Sequence, residues 1–152
     1  MTMPSTSDPL SKYEIMRDWY TSVWENGDLD VIEAFYTCDA GVAEKDLLPE
    51  NVRSAHEVRE WLTVLRSFVT EIKVDIVQYM EKGDWASAVI EIKCKRRDTA
   101  ADVHAMQLIA VRFEAEKVAE IYRSFDWIRF FEQLGQLPEN THALLLGGTV
   151  LK

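Results

Sequence analysis

The three histidines, His56, His104 and His142, share no metal-ligand spacing with one another or with an Asp or Glu cluster. Neither Cys38 nor Cys94 has a Cys or His partner at zinc spacing. No Ser-His-Asp order, glycine-rich phosphate loop or nucleotide fingerprint is present. No metal site and no cofactor are therefore expected, and what remains is a set of isolated polar groups that a fold would have to gather. Arg123 stands in an alternating run with Ile121 and Phe125 on its face and Tyr122 and Ser124 on the other. An arginine cannot take up a proton near neutral pH. It can hold an anionic ligand or an oxyanion, pair with an internal carboxylate, or reach out to a rim. Asp126, directly after Phe125, reads either as a helix N-cap or, with its carboxylate turned inward, as an acid–base group. His104 shares a strand face with Met106 and Leu108, opposite in parity to Gln107, which fits a surface or interface histidine as well as a catalytic one.

Helices come first among the elements that must position these groups. Ser11-Lys12-Tyr13-Glu14 is a capping box. Behind it Ile15, Trp19 and Val23 fall on one row and Met16, Tyr20 and Trp24 on the next, a wide apolar face ended by Gly27. A shorter helix is expected from Asp28 as cap, with Leu29, Ile32, Phe35 and Tyr36 on one side. Cys38 to Lys45 reads as a short strand, followed by a loop through Pro49 and Asn51. A second capping box, Ser54-Ala55-His56-Glu57, opens a helix whose stripe is Val58, Trp61, Leu62, Leu65, Phe68 and Val69.

From Glu71 the period changes to two. Ile72, Val74 and Ile76 alternate with Lys73 and Asp75 up to a hairpin signal at Lys82-Gly83-Asp84. Trp85 to Lys95 places Ala86, Ala88, Ile90, Ile92 and Cys94 on one face, where the small residues leave volume for something else. Val103 to Phe113 is apolar on both faces, as for a central strand covered on each side. Val118 to Asp126 closes the series, and a last helix carries Trp127, Phe130, Phe131 and Leu134 to Gly135. Helices followed by strands joined through short turns define an α+β domain. Trp19, Tyr20, Trp61 and Leu65 are the expected helix-side wall of its interior, and Ile90 the strand-side one. The expected organisation is an arm over 1–10, one domain over 11–136, and an apolar tail over 137–152 that reads as an edge or interface segment.

Seventeen basic and 26 acidic residues give a net charge of −9, which disfavours nucleic acid and anionic lipid as partners. The basic cluster Lys93, Lys95, Arg96 and Arg97 has no interleaved aromatics on which bases could stack and reads as a solvated strand end. Met1 to Pro9 is polar with no apolar core of a signal peptide, and no apolar run is longer than that of Ala143 to Leu146, far too short to span a bilayer. A reducing, cytoplasmic setting with free thiols is the expectation.

Two phrases carry a family resemblance. Tyr20, then Trp24-Glu25-Asn26-Gly27-Asp28-Leu29-Asp30, resembles the opening of the SnoaL-like polyketide cyclases. Val111-Arg112-Phe113-Glu114, Val118-Ala119-Glu120-Ile121-Tyr122, Phe125-Asp126 and Gln133-Leu134-Gly135 resemble their close. With the elements between, the likeness covers about Ile15 to Gly135. It implies the cone of the nuclear-transport-factor-like superfamily: a curved antiparallel sheet packed on three N-terminal helices, with a short helix after the last strand and an apolar pocket at the wide end. It also implies a small hydrophobic ligand and a homodimer through the outer sheet face. Such cyclases are similar in keeping a carboxylic acid just after the aromatic of the last strand. Here the aromatic is Tyr122 and the next residue is Arg123, which puts that proton transfer in doubt. Many relatives also carry a histidine near the first strand, where this chain has Glu44 as the one acid able to replace it. The resemblance thus leaves two readings open. One is an acid–base isomerase, cyclase or dehydratase using Glu44 or Asp126. The other is a pocket that only binds, with Trp19, Tyr20, Trp61, Leu65, Ile90, Gln107, Tyr122 and Arg123 holding the ligand.

Overall fold

The computed structural model describes residues 9–37, 44–46 and 52–152, with 44–46 and 52–53 described as backbone. The expected arm, the segment from Cys38 toward Lys45 and the loop through Pro49 and Asn51 lie wholly or largely outside the described residues.

Helix α1, Lys12–Trp19, begins at the first capping box: the Ser11 hydroxyl accepts from Glu14 N–H, and the Glu14 carboxylate accepts from Ser11 N–H, both at 3.1 Å. The chain continues without a break as a π-helical segment, Tyr20–Glu25. Its wider winding keeps Tyr20, Val23 and Trp24 on the side already buried by Ile15, Met16 and Trp19. Gly27 ends the segment at φ +69°, and a Cβ there would stand 2.5 Å from the Arg66 guanidinium. The left-handed backbone favours glycine here, and the Arg66 guanidinium, which donates to Trp24 C=O, packs over it. The expected second helix is a 3-10 helix, Leu29–Phe35, with Ile32 buried; Asp28 precedes it without a side-chain cap bond.

Strands β1, Glu44–Asp46, and β2, Val52–Arg53, lead into α2, Ala55–Phe68. The second capping box is formed, with Glu57 N–H donating to Ser54 at 3.2 Å and Ser54 N–H to Glu57 at 2.8 Å. Ser54→Ala removes an acceptor for a backbone donor that has no intrahelical partner. It is expected to cost about 1 kcal/mol, read as a lower urea midpoint with unchanged slope. Val58, Leu62 and Leu65 are buried as the stripe predicts. Phe68, at the last helical position, is exposed instead, because the chain turns directly into β3 at Val69.

Four long strands make the body of the sheet: β3, Val69–Lys82; β4, Trp85–Arg96; β5, Asp102–Glu114; β6, Lys117–Phe125. They pair antiparallel in sequence order, and β1 joins β6 in parallel, giving the order β2-β1-β6-β5-β4-β3. Irregularities in β3 between Thr70 and Lys73, where Glu71 has φ +53°, and between Ile76 and Gln78 bend the edge of the sheet. Ala86, Ala88, Ile90, Ile92 and Cys94 of β4 are all buried, as alternation predicts. On β5 the inner face, Val103 through Phe113 at every second residue, is buried. Its outer face departs from the expectation of cover on both sides: Met106 and Leu108 are exposed within the single chain.

Helix α3, Trp127–Gln133, follows β6, and a further helix, α4, Thr141–Leu146, packs against it. The tail therefore contains a helix where an edge strand was one expectation. The architecture is α+β, a curved antiparallel sheet with helices before it and a short helix after its last strand. The core lies between the sheet's inner face and α1, the π-helical segment and α2.

Candidate functional site

Three polar side chains from three elements meet inside the core. Tyr20 opens the π-helical segment, Gln107 points inward from β5, and Arg123 points inward from β6. The β5–β6 register pairs Ile109 with Arg123 and Gln107 with Phe125, so Gln107 and Arg123 are diagonal neighbours on one face. Arg123 Nη1 donates to Gln107 Oε1 at 2.6 Å and to the Tyr20 hydroxyl at 3.2 Å. The Tyr20 hydroxyl donates to Gln107 Oε1 at 3.0 Å. All three are buried, Arg123 at 7% exposure. An arginine only donates, so the amide atom facing it must be the oxygen, and the orientation of the Gln107 amide is fixed by its neighbours.

Beside this cluster the walls are apolar. Trp19, Tyr20, Phe35, Tyr36, Ile109 and Ile121 are among the residues around a cavity of about 20 Å3. That is room for about one water molecule, and a larger guest requires a wall to move. On the far side of Tyr20 an aromatic cluster continues through Trp24, Trp61 and Trp127, with ring centroids 5.9 and 5.2 Å apart in succession.

Of the residues expected to hold a ligand, Trp19, Tyr20, Leu65, Ile90, Gln107 and Arg123 are buried on the inner side, and Trp61 is half-buried. Tyr122 is not among them. Strand alternation that turns Arg123 inward turns Tyr122 outward, where its ring stacks on Trp85 and its hydroxyl donates to Glu120. It lines an outer groove of about 330 Å3 with Leu108, Val89 and Met80. Asp126 is exposed and caps α3, its carboxylate accepting from Arg129 N–H at 3.0 Å. Glu44 opens β1 opposite Arg53, and its carboxylate lies outside the described atoms. Phe35, Tyr36 and Ile121 were not expected as cavity walls. The inward parity of Ile121 with Arg123 was the available signal for the last of them.

Elsewhere the polar groups have structural partners. His104 faces outward and bonds Glu91 at 3.1 Å, which holds the Glu91 carboxyl below its usual range. Burial pushes the Cys94 thiol up to about 11, so it packs as a protonated apolar group at neutral pH. Among the described residues no three His, Cys, Asp or Glu side chains converge as metal ligands. No helix among them is long and apolar enough to cross a membrane.

A curved sheet on N-terminal helices, with an apolar interior and a short helix after its last strand, is an α+β fold of the nuclear-transport-factor type. The SnoaL-like domain matches residues 16–121, and the chain belongs to that family. No curated protein matches it. Among solved structures it is similar to AclR of Streptomyces galilaeus, at 16% identity over 83% of this chain and 96% of that one, TM-score 0.70. A protein with a ketosteroid isomerase-like fold from Catenulispora acidiphila, solved with trimethylamine, is similar at 11% identity over 85% and 98%, TM-score 0.68. A SnoaL-like polyketide cyclase from Agrobacterium tumefaciens is similar at 13% identity over 83% and 99%, TM-score 0.65. At such identities the likeness is one of fold.

Proposed function

We propose that this chain binds a small hydrophobic molecule carrying an anionic or carbonyl oxygen, seated in the interior with its polar end at Arg123. The observation that supports this most is the buried Tyr20–Gln107–Arg123 cluster beside an apolar wall. A guanidinium in such a place is a charge-assisted donor in low dielectric, where it acts far more strongly on an oxyanion than in water. Binding is the reading the described residues favour over turnover, since Asp126 serves as a cap. A proton acceptor for turnover would have to come from β1, where Asp46 is the register partner of Arg123 and Glu44, two residues before it, has the same parity. Calorimetric titration with octanoate tests the proposal: saturable one-site binding supports it, and absence of heat and of any thermal shift at millimolar octanoate overturns it.

The unit proposed to fold on its own is 11–136, with 137–152 as an added segment. Self-association through the outer sheet face belongs to the same proposal. Met80 and Leu108 are 63% and 58% exposed, and Val77, Met106 and Trp85 are further exposed apolar side chains of the same sheet, the kind of surface a partner sheet would cover. Sedimentation at micromolar concentration is expected to give twice the 17.5 kDa chain mass, and Leu108→Asp to shift it to monomer. A wild-type monomer under those conditions contradicts the interface.

A further inference from the structure

Gln107 Oε1 already accepts from two donors, Tyr20 and Arg123. Its Nε2 meets no acceptor among the described residues, although the side chain is 1% exposed. The indole N–H groups of Trp19 and Trp24 share that condition. All three surround Tyr20. Trp19 precedes it in the chain and shares the cavity wall with it. The Trp24 ring lies 5.9 Å from its ring, and Gln107 is bonded to its hydroxyl. The π-helical winding, marked by Asn26 N–H donating to Thr21 C=O at 2.9 Å, brings residues five apart toward one side, and so holds both tryptophans in the core. Native interiors rarely leave buried donors unmatched, and three around one residue call for a common explanation.

The imbalance has a sign. Around Tyr20 the unmatched groups are donors, and the one side-chain amide oxygen there is already doubly used. We infer that Gln107, Trp19 and Trp24 form a donor-only subsite that reads the polar end of the bound molecule as a hydrogen-bond acceptor and rejects amines. This rests on the proposed interior ligand and specifies its head group: carboxylate or enolate oxygen is matched, and an ammonium group would face N–H groups and Arg123 together.

A matched series of octanoate, octan-1-ol and octylamine tests it by calorimetry, with the five indole 15N–1H resonances followed by NMR. Wild-type protein is expected to bind octanoate at least about tenfold more tightly than octylamine, with two indole signals, those of Trp19 and Trp24, moving downfield. Gln107→Glu keeps an oxygen for Tyr20 and Arg123 but replaces the free donor by an acceptor. It is expected to weaken octanoate at least about tenfold and to strengthen octylamine. Trp24→Phe, which keeps a ring and removes one N–H, is expected to weaken octanoate about 2- to 10-fold and serves where Gln107→Glu does not fold. Equal affinities across the series, or octanoate binding that leaves every indole signal in place, overturns the donor subsite while leaving an apolar pocket intact. If none of the three compounds binds, the interior pocket itself falls and the subsite with it.

Discussion

Arg123→Met is expected to weaken octanoate binding by roughly 30- to 1,000-fold, the consequence of removing about 2–4 kcal/mol of buried charge-assisted recognition. Methionine preserves an unbranched apolar stem of similar length, so the walls stay packed. What is lost is the pair of donors from Nη1, one at 2.6 Å to Gln107 and one at 3.2 Å to Tyr20, and the positive charge behind them. Gln107 Oε1 keeps the Tyr20 hydroxyl as a partner after the change. A urea midpoint close to wild type together with lost calorimetric binding separates recognition from stability. Arg123→Lys should fall between the two, since an ammonium group keeps the charge but not the planar fork. Unchanged octanoate affinity in Arg123→Met would remove Arg123 from the site.

Trp19→Ala carries the largest expected loss of stability, about 3–5 kcal/mol. The indole is 8% exposed and stands edge-on to Phe35 and Tyr36, with ring centroids at 5.3 and 5.7 Å. Its removal deletes both contacts and merges their volume with a cavity that is already present. For a domain whose total stability is about 5–15 kcal/mol, the variant should be folded but marginal. The enlarged apolar hole is then expected to take up benzene, raising the melting temperature of the variant by mass action and leaving that of wild type unchanged. A variant of wild-type stability would show that the Trp19 ring does not carry the wall.

Features set by a few neighbouring residues were legible in the sequence. Both capping boxes form, because Ser11 with Glu14 and Ser54 with Glu57 satisfy backbone donors within one turn. The inward rows of β4 and β6 follow from a period of two. Period two also puts Tyr122 and Arg123 on opposite faces, so both could not hold one ligand, and the structure turns Arg123 inward and Tyr122 outward. The tail was read as an edge or interface segment, and it contains a short helix, for which Ala143 and three successive leucines are strong formers.

What the sequence withheld is the meeting of distant residues. Tyr20 lies 87 positions from Gln107 and 103 from Arg123. Their contact depends on the β5–β6 register and on how deeply the π-helical segment sinks onto the sheet, and neither is written in any local pattern. The same long-range packing explains the cavity. Ala86 and Ala88 face inward and are buried as expected, and the interior cavity, walled by Trp19, Tyr20 and their neighbours, is only about 20 Å3.

The central claim is that the ligand sits inside, against Arg123, and not in the larger groove of about 330 Å3 on the outer face. Nuclear Overhauser contacts between bound octanoate and methyl-labelled protein decide between them. The account predicts contacts from the acyl chain to Ile109 and Ile121, with the carboxylate end near Arg123. Contacts to Met80, Val89 and Leu108 in their place would contradict it.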